Sequence, residues 1–296
     1  MWCFSVWNVS GAIKSVIACK IGFALWGVLE TGVPLRGPGF SMHPFLEGSP
    51  FVAFAHRGGA LEATENTMDA FAHAAGLGYR YIETDVQVTS DGVVVIFHDD
   101  VLDRLTNLSG PVSERTWAEL SETTVHGTGK IPRLEDVLSA WPEMRFNIDA
   151  KTDEVAAPLC RIAKGDNLDR LCLASDNDRR VAFIRAELGA GVCTPAATRE
   201  TVRFFLAALV GLKPGPTAAD CFQIPPRSHG LPFVTPRQLL RAREAGIPVH
   251  VWTIDEPSEM EYLLDRDVQG IMTDRPTQLI DVLKRRNLWE NRPNSN

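Results

Sequence analysis

The chain has 296 residues, enough for one large α/β barrel or two modest domains. Hydrophobic residues make up 45% and charged residues 23%, an ordinary globular balance, and the net charge of -7 argues against a nucleic-acid binder and against general attraction to anionic membranes. Six cysteines without CxxC spacing argue against structural zinc and read as reduced core thiols of a cytoplasmic protein.

Residues 1–47 differ in character from the rest of the chain. Trp2, Trp7 and Trp26 are mixed with Lys14 and Lys20, and the longest apolar piece, Ile21 to Leu29, is too short to span a bilayer. Val16-Ile17-Ala18-Cys19 faintly resembles a lipoprotein cleavage site, but Lys14 leaves no apolar region before it. The segment is expected to be a disordered or vestigial extension, with Met42 as a candidate start; anchoring to a membrane through it is the competing reading.

From residue 48 the pattern is regular. Phe51 to Ala55 is a short apolar run, a buried strand by its length, ending in His56-Arg57-Gly58-Gly59. Asn66 is expected to cap a helix carrying Met68, Phe71, Ala72 and Ala75 at helical spacing, stopped by Gly76 and Gly78. Tyr79 to Val88 is the second strand. Its acidic end is joined through Ser90-Asp91-Gly92 to a return arm, Val93 to Phe97. A turn centred on Ser90-Asp91 puts Glu83 opposite His98 and Asp85 opposite Ile96, with Glu83, Asp85 and His98 on one face.

Further strands are expected at Arg145–Lys151, Leu171–Ala174, Gly191–Pro195, Cys221–Pro225, Val249–Ile254 and Gly270–Asp274. Helices separate them at Leu134–Ala140, around Leu159–Ala163, and at Arg180–Leu188, Thr201–Leu212, Pro236–Ala245 and Ser258–Leu264; Thr277–Arg286 closes the chain. Eight strands leading into helices over residues 48–296 predict a TIM (β/α)8 barrel, with a small insertion after the second strand beginning at Asp99. A doubly wound open sheet is the runner-up, but no GxGxxG follows the first strand.

In such a barrel the chemistry collects at the C-terminal strand ends. Those ends carry His56 and Arg57, Glu83 and Asp85 with His98 returning beside them, Asp149 and Lys151, and Trp252 and Asp255. Three converging carboxylates repel one another unless a cation neutralises them, and all-oxygen ligation suits Mg²⁺ or Ca²⁺. Structural ion pairing with Arg57 or Lys151 is the bland reading of the same residues. His56 and His98 suit general acid/base work, whereas His73, His126, His229 and His250 lack such company. Arg57 and Lys151 offer fixed positive charge to an anion. Metal, paired imidazoles and cations around an anion describe phosphodiester hydrolysis.

With these pieces in order the sequence resembles the glycerophosphodiester phosphodiesterase family. The matching residues are Ala55-His56-Arg57-Gly58, Glu65-Asn66-Thr67, Glu83-Thr84-Asp85-Val86, Thr89-Ser90-Asp91-Gly92, His98-Asp99, Ile131-Pro132-Arg133-Leu134-Glu135, Asp149-Ala150-Lys151, Trp252-Thr253 and Thr273-Asp274-Arg275-Pro276. The resemblance implies an acid/base pair His56 and His98, one divalent cation on Glu83, Asp85 and Asp149, and phosphate on Arg57 and Lys151. It further implies that Trp252 lies against the glycerol end and that Glu65 orients Arg57. Asp149 stands where the family usually has Glu, Thr64 where it commonly has Pro, and Asp255 where Asn is frequent. The implied activity is hydrolysis of a glycerophosphodiester to glycerol 3-phosphate and an alcohol, without a nucleic-acid partner. Two rivals remain: a lysophospholipid-cleaving phosphodiesterase, with Phe204, Phe205, Leu206, Leu209 and Val210 as an apolar rim unless they face the core, and a non-catalytic phosphate-binding protein.

Overall fold

The computed structural model describes residues 42–49, 51–165, 168–228 and 230–289. The expectations placed on residues 1–41 and on His229 lie outside them.

Strands β1 (Val52–His56), β2 (Tyr81–Val88), β6 (Arg145–Ala150), β7 (Leu171–Ala174), β8 (Phe222–Ile224), β11 (Val249–Val251) and β12 (Gly270–Thr273) form one curled parallel sheet in the order β7-β6-β2-β1-β12-β11-β8. Helices follow the strands on the outside, as parallel crossovers require. They are α1 (Met68–Gly76), α3 (Leu134–Ala140), α4 (Asp153–Gly165), α5 (Asp178–Leu188), α6 (Thr198–Leu209), α7 (Pro236–Glu244), α8 (Pro257–Leu264) and α9 (Pro276–Arg285). The architecture is TIM-barrel-like.

The predicted fifth strand, 191–195, is not a regular strand. It touches the edge strands through two isolated parallel bridges, Cys172↔Cys193 and Pro195↔Cys221. Pro195 has no N–H, and the Thr194 N–H goes to the Asp220 carboxylate at 3.0 Å instead of to a neighbouring strand. The main-chain bonds Leu173 N to Cys193 O and Ala196 N to Cys221 O, both 2.9 Å, still carry the segment across the gap between β7 and β8.

The outer face of the sheet buries its apolar residues under the helices. Phe204 and Phe205 are buried against Phe222, with ring centroids 4.6 and 4.8 Å from it. The two phenylalanines of α6 face the core, as expected of a core-facing helix, and so do not form an exposed lipid rim. Inside the barrel Phe54 packs on Tyr81 and His250 at centroid distances of 5.3 and 5.2 Å.

The expected boundary at residue 48 falls too late. Phe45 and Leu46 are buried in the cluster that holds Phe54, Tyr81 and Met272. Arg145 Nη1 fastens this segment, donating to the carbonyls of Phe45 (2.9 Å) and Glu47 (2.7 Å), and Tyr81 Oη donates to Phe45 O at 3.0 Å. Composition placed these residues with the extension; packing places them with the barrel.

The hairpin register is also shifted by one. β3 (Val94–Ile96) pairs with β2 so that Val86 faces Ile96, and the Phe97 N–H bonds to Asp85 O at 3.0 Å. The cause is a three-residue loop, Ser90-Asp91-Gly92, in place of a two-residue turn. Thr89 and Val93 close it, and Gly92 adopts φ +84°. His98 therefore reaches the barrel mouth from the loop after β3, not from a strand.

Between β3 and α3 the chain forms α2 (Trp117–Ser121) and a small hairpin, β4 (Thr124–Val125) with β5 (Gly129–Lys130). This segment has its own cluster of Phe97, Leu102, Leu105, Leu120 and Val125. A further two-stranded piece, β9 (Arg227–Ser228) with β10 (Leu231–Pro232), lies between β8 and α7.

The turn after β1 demands glycine. Arg57, Gly58 and Gly59 have φ of +52°, +82° and +102°. A Cβ on Gly58 would lie 2.7 Å from Ala70 Cβ and 2.8 Å from the Ala70 carbonyl carbon in α1. Gly58→Ala is expected to destabilise the fold by at least ~2 kcal/mol, through both the left-handed backbone and the clash. A urea unfolding midpoint equal to that of the parent would contradict this.

Candidate active site

The strand ends open onto a cavity of about 970 Å³. His56, Arg57, Glu83, Asp85, His98, Asp149, Lys151 and Trp252 all line it, so every predicted site residue except Glu65 meets there. Glu65 stands behind Arg57, its Oε1 accepting from Arg57 Nη1 at 3.1 Å.

Parallel pairing assembles the acids. β2 and β6 are registered with Glu83 beside Asn147 and Asp85 beside Asp149, while β1 sets His56 beside Glu83. Strand alternation keeps Glu83, Asp85 and Asp149 on the inner face. Lys151 Nζ lies between Asp85 Oδ1 (2.7 Å) and Asp149 Oδ2 (2.6 Å). Arg57 Nε pairs with Asp85 Oδ2 at 3.1 Å, and the Arg57 main-chain N–H donates to Glu83 Oε2 at 3.3 Å.

Each mouth imidazole has an acidic partner on Nδ1. His56 Nδ1 is 2.7 Å from Asp274 Oδ1, and His98 Nδ1 is 2.6 Å from Asp99 Oδ1. Such a bond fixes ring orientation and leaves Nε2 for proton exchange. His56 Nε2 lies 3.6 Å from Glu83 Oε2. Burial alone would lower the His56 pKa, but the Glu83 and Asp274 carboxylates raise it above the ordinary imidazole value.

At two of the three strand-end acids burial outweighs the neighbouring positive charge. Burial, reinforced by the Asp85 charge, lifts Glu83 to about 7. Burial also raises Asp149, with Asp85 adding to it against the pull of Lys151. Asp85 is held below the usual range because Lys151 and Arg57 outweigh its own burial. Such oxygen donors, partly uncompensated, suit a hard dication. As placed, no group of three His, Cys, Asp or Glu side chains among the described residues is gathered tightly enough to hold a metal ion, and Lys151 lies between two of the acids. The donor chemistry fits Mg²⁺ or Ca²⁺ provided the Lys151 ammonium yields that place.

Residues 56–278 match the Glycerophosphoryl diester phosphodiesterase family. A Mycobacterium tuberculosis protein named "Probable glycerophosphodiester phosphodiesterase 2" is 38% identical over 252 residues, which cover 83% of this chain and 96% of that protein. The chain belongs to the glycerophosphoryl diester phosphodiesterase family. A lysophospholipase D of Homo sapiens is 27% identical over 77% of this chain and 85% of its own length. The fold is shared with the glycerophosphodiester phosphodiesterase of Thermotoga maritima (TM-score 0.63, 23% identity, 80% of this chain and 100% of that one). It is shared too with an Oleispira antarctica phosphodiesterase solved with the product sn-glycerol-3-phosphate (TM-score 0.64, 23% identity, 79% and 96% covered).

Several site residues of this phosphodiesterase have roles other than those the sequence suggested. Asn66 was expected to cap α1, but Thr67 does so, its Oγ1 accepting from Ala70 N at 3.2 Å. Asn66 is buried at φ +57°, donates to Asp85 Oδ2 at 2.9 Å and accepts from Thr84 Oγ1 at 2.8 Å. Asp274 and Asp99 hold the two histidines. Asp255, expected to add negative charge at the rim, instead accepts from Thr273 Oγ1 (3.0 Å) and Asp274 N (2.8 Å), and so steadies the segment that carries Asp274.

Proposed function

We propose that this glycerophosphodiester phosphodiesterase hydrolyses small glycerophosphodiesters, such as glycerophosphocholine or glycerophosphoethanolamine, to glycerol 3-phosphate and an alcohol. The observation that carries the reading is the pair of imidazoles, each anchored on Nδ1 by an aspartate, facing one cavity with Arg57, Lys151 and three carboxylates. One of His56 and His98 takes the proton of the attacking hydroxyl, that of water or that of the neighbouring glycerol hydroxyl, in which case a cyclic phosphodiester forms first and water then opens it to glycerol 3-phosphate. The other protonates the alkoxide as the P–O bond breaks. Arg57 and Lys151 bind the phosphoryl oxygens, and Glu65 orients Arg57. Trp252, 41% exposed at the mouth, lies against the glycerol end. Glu83, Asp85 and Asp149 would hold one Mg²⁺ or Ca²⁺, which when bound polarises the phosphoryl group and lowers the pKa of the nucleophile.

We read the segment from Asp99 to Arg133 as an insertion after the second strand of a (β/α)8 barrel. Its small cluster next to β3 supports that reading. The buried, unpaired thiols Cys160, Cys172, Cys193 and Cys221 support a cytoplasmic location. No helix among the described residues is long and apolar enough to cross a membrane.

Cleavage of lysophospholipids is the second reading. Val101, Val202 and Trp252, each about 40% exposed at the mouth, favour it, as does the human relative's name. A panel of glycerophosphocholine, glycerophosphoethanolamine and a long-chain lysophosphatidylcholine, each with Mg²⁺ or Ca²⁺, decides between them. The glycerophosphodiesters are expected to turn over faster, by about tenfold or more, since the charged and polar wall around the reacting group matches the phosphodiester that both substrates share and gains nothing from an acyl chain. Faster cleavage of the lysolipid overturns the first reading. Binding without turnover in every arm favours a non-catalytic phosphate-binding protein.

A further inference from the structure

Arg104 follows β3 in the loop that carries His98, and its side chain is 48% exposed. It nevertheless makes four hydrogen bonds to two carboxylates from separate parts of the chain. Nε and Nη2 donate to Asp99 Oδ2 (2.6 Å) and Oδ1 (2.9 Å), in the two-pronged geometry that guanidinium matches to carboxylate. Nη2 and Nη1 donate to Glu65 Oε1 (2.9 Å) and Oε2 (3.3 Å). Each carboxylate has a second partner in the cavity wall. Asp99 Oδ1 holds His98 Nδ1 at 2.6 Å, and Glu65 Oε1 holds Arg57 Nη1 at 3.1 Å. One rigid guanidinium thus joins His98–Asp99 to Glu65–Arg57.

We infer that Arg104 is a positioning residue that couples the orientation of the acid/base histidine His98 to that of the phosphate-binding Arg57. The inference rests on the roles proposed above for those two side chains. Exposed ion pairs contribute little to stability, so the fork's value lies in what it aligns. Without it Asp99 and Glu65 repel each other, and each is free to swing with the group it holds. Asp99, held down to about 2 mainly by its bonds to Arg104, stays a full acceptor for His98 throughout the working range. Lysine supplies the charge without the fork, because its ammonium is a point donor that cannot span both carboxylates in one plane.

The test is a set of variants in the full-length protein with glycerophosphocholine as substrate. Asp99→Asn is expected to lower kcat with little change in KM, and Glu65→Gln to raise KM with little change in kcat. Arg104→Gln should do both, each by about tenfold, as loss of alignment does in an oriented site. Its melting temperature should stay within about 4 °C of the parent. Combining Arg104→Gln with Asp99→Asn should lower kcat no further than Asp99→Asn alone, and Arg104→Lys should recover only part of the loss. The ¹⁵N resonances of the His98 ring should shift in Arg104→Gln, a change that a remote structural effect would not produce. Parent-like kinetics with unchanged His98 resonances overturn the coupling, as does full additivity with Asp99→Asn. If the parent itself turned over no glycerophosphodiester, the functional reading would fail. The His98 resonances and the affinity for sn-glycerol 3-phosphate in Glu65→Gln and Arg104→Gln would then still decide the coupling.

Discussion

His56→Gln and His98→Gln are each expected to lower kcat on glycerophosphocholine by about 10²- to 10⁴-fold while the protein remains folded. The expectation comes from where the rings are held. His56 closes β1, and its Nδ1 partner Asp274 comes directly after β12, the strand paired with β1 on the other side. Three strands, β12, β1 and β2, therefore fix that imidazole between Asp274 and Glu83. His98 is anchored from its own loop by Asp99. Glutamine keeps a polar side chain near the acids but has no nitrogen that titrates. It is preferred to alanine at position 56, where a bare cavity would leave the buried Glu83 and half-buried Asp274 carboxylates facing each other. Asp274→Asn should cost less than His56→Gln, because the ring survives with a weaker anchor. Circular dichroism and urea midpoints establish folding; turnover within threefold of the parent in either histidine variant removes that histidine from the mechanism.

The alternation of strands and helices was legible because apolar runs of strand length and amphipathic helices recur in a simple order. The charged groups at the strand ends were legible because Glu83-Thr84-Asp85 places two acids, and Asp149-Ala150-Lys151 an acid and a lysine, two residues apart on one face by strand parity. What escaped depends on three-dimensional register. Asp274 lies 218 residues from His56 and joins it only because Ala55 pairs with Thr273. Its signal in the sequence is that it is the acidic residue at the C-terminal end of the last strand, the position that carries chemistry in the other strands. Asn66 misled for a different reason. A polar residue before an amphipathic helix is normally its cap, and here Thr67 next to it does that work. The shift in the hairpin turned on a single glycine, Gly92, whose left-handed backbone lengthens the loop by one residue. Composition likewise could not show that Phe45 and Leu46 belong to the barrel, because what holds them there, the cluster with Phe54, Tyr81 and Met272 and the bonds from Tyr81 and Arg145 to Phe45 O, comes from distant parts of the chain.

Removal of divalent ions is expected to abolish turnover, by more than about a hundredfold, with recovery on adding Mg²⁺ or Ca²⁺. Three acids share the inner face at the junction of β2 and β6, yet the fixed cations near them, Arg57 and Lys151, are drawn chiefly to Asp85 and Asp149. The Glu83 carboxylate accepts from the Arg57 main-chain N–H and stands beside the His56 ring, and burial, reinforced by the Asp85 charge, lifts it to about 7. A dication binding the native state alone should also raise the melting temperature in proportion to the logarithm of its concentration. Glu83→Gln should weaken that response and lower activity together, since the amide brings one neutral oxygen where a charged one stood. Asp149→Glu extends the carboxylate by one methylene past Lys151 and should tighten the ion or change the preferred one, measured as the shift in half-saturating Mg²⁺ and Ca²⁺. Full activity in excess chelator, with no thermal shift on adding either ion, would mean that the acids at the mouth serve only as counterions for Arg57 and Lys151, and that the two histidines work without a metal.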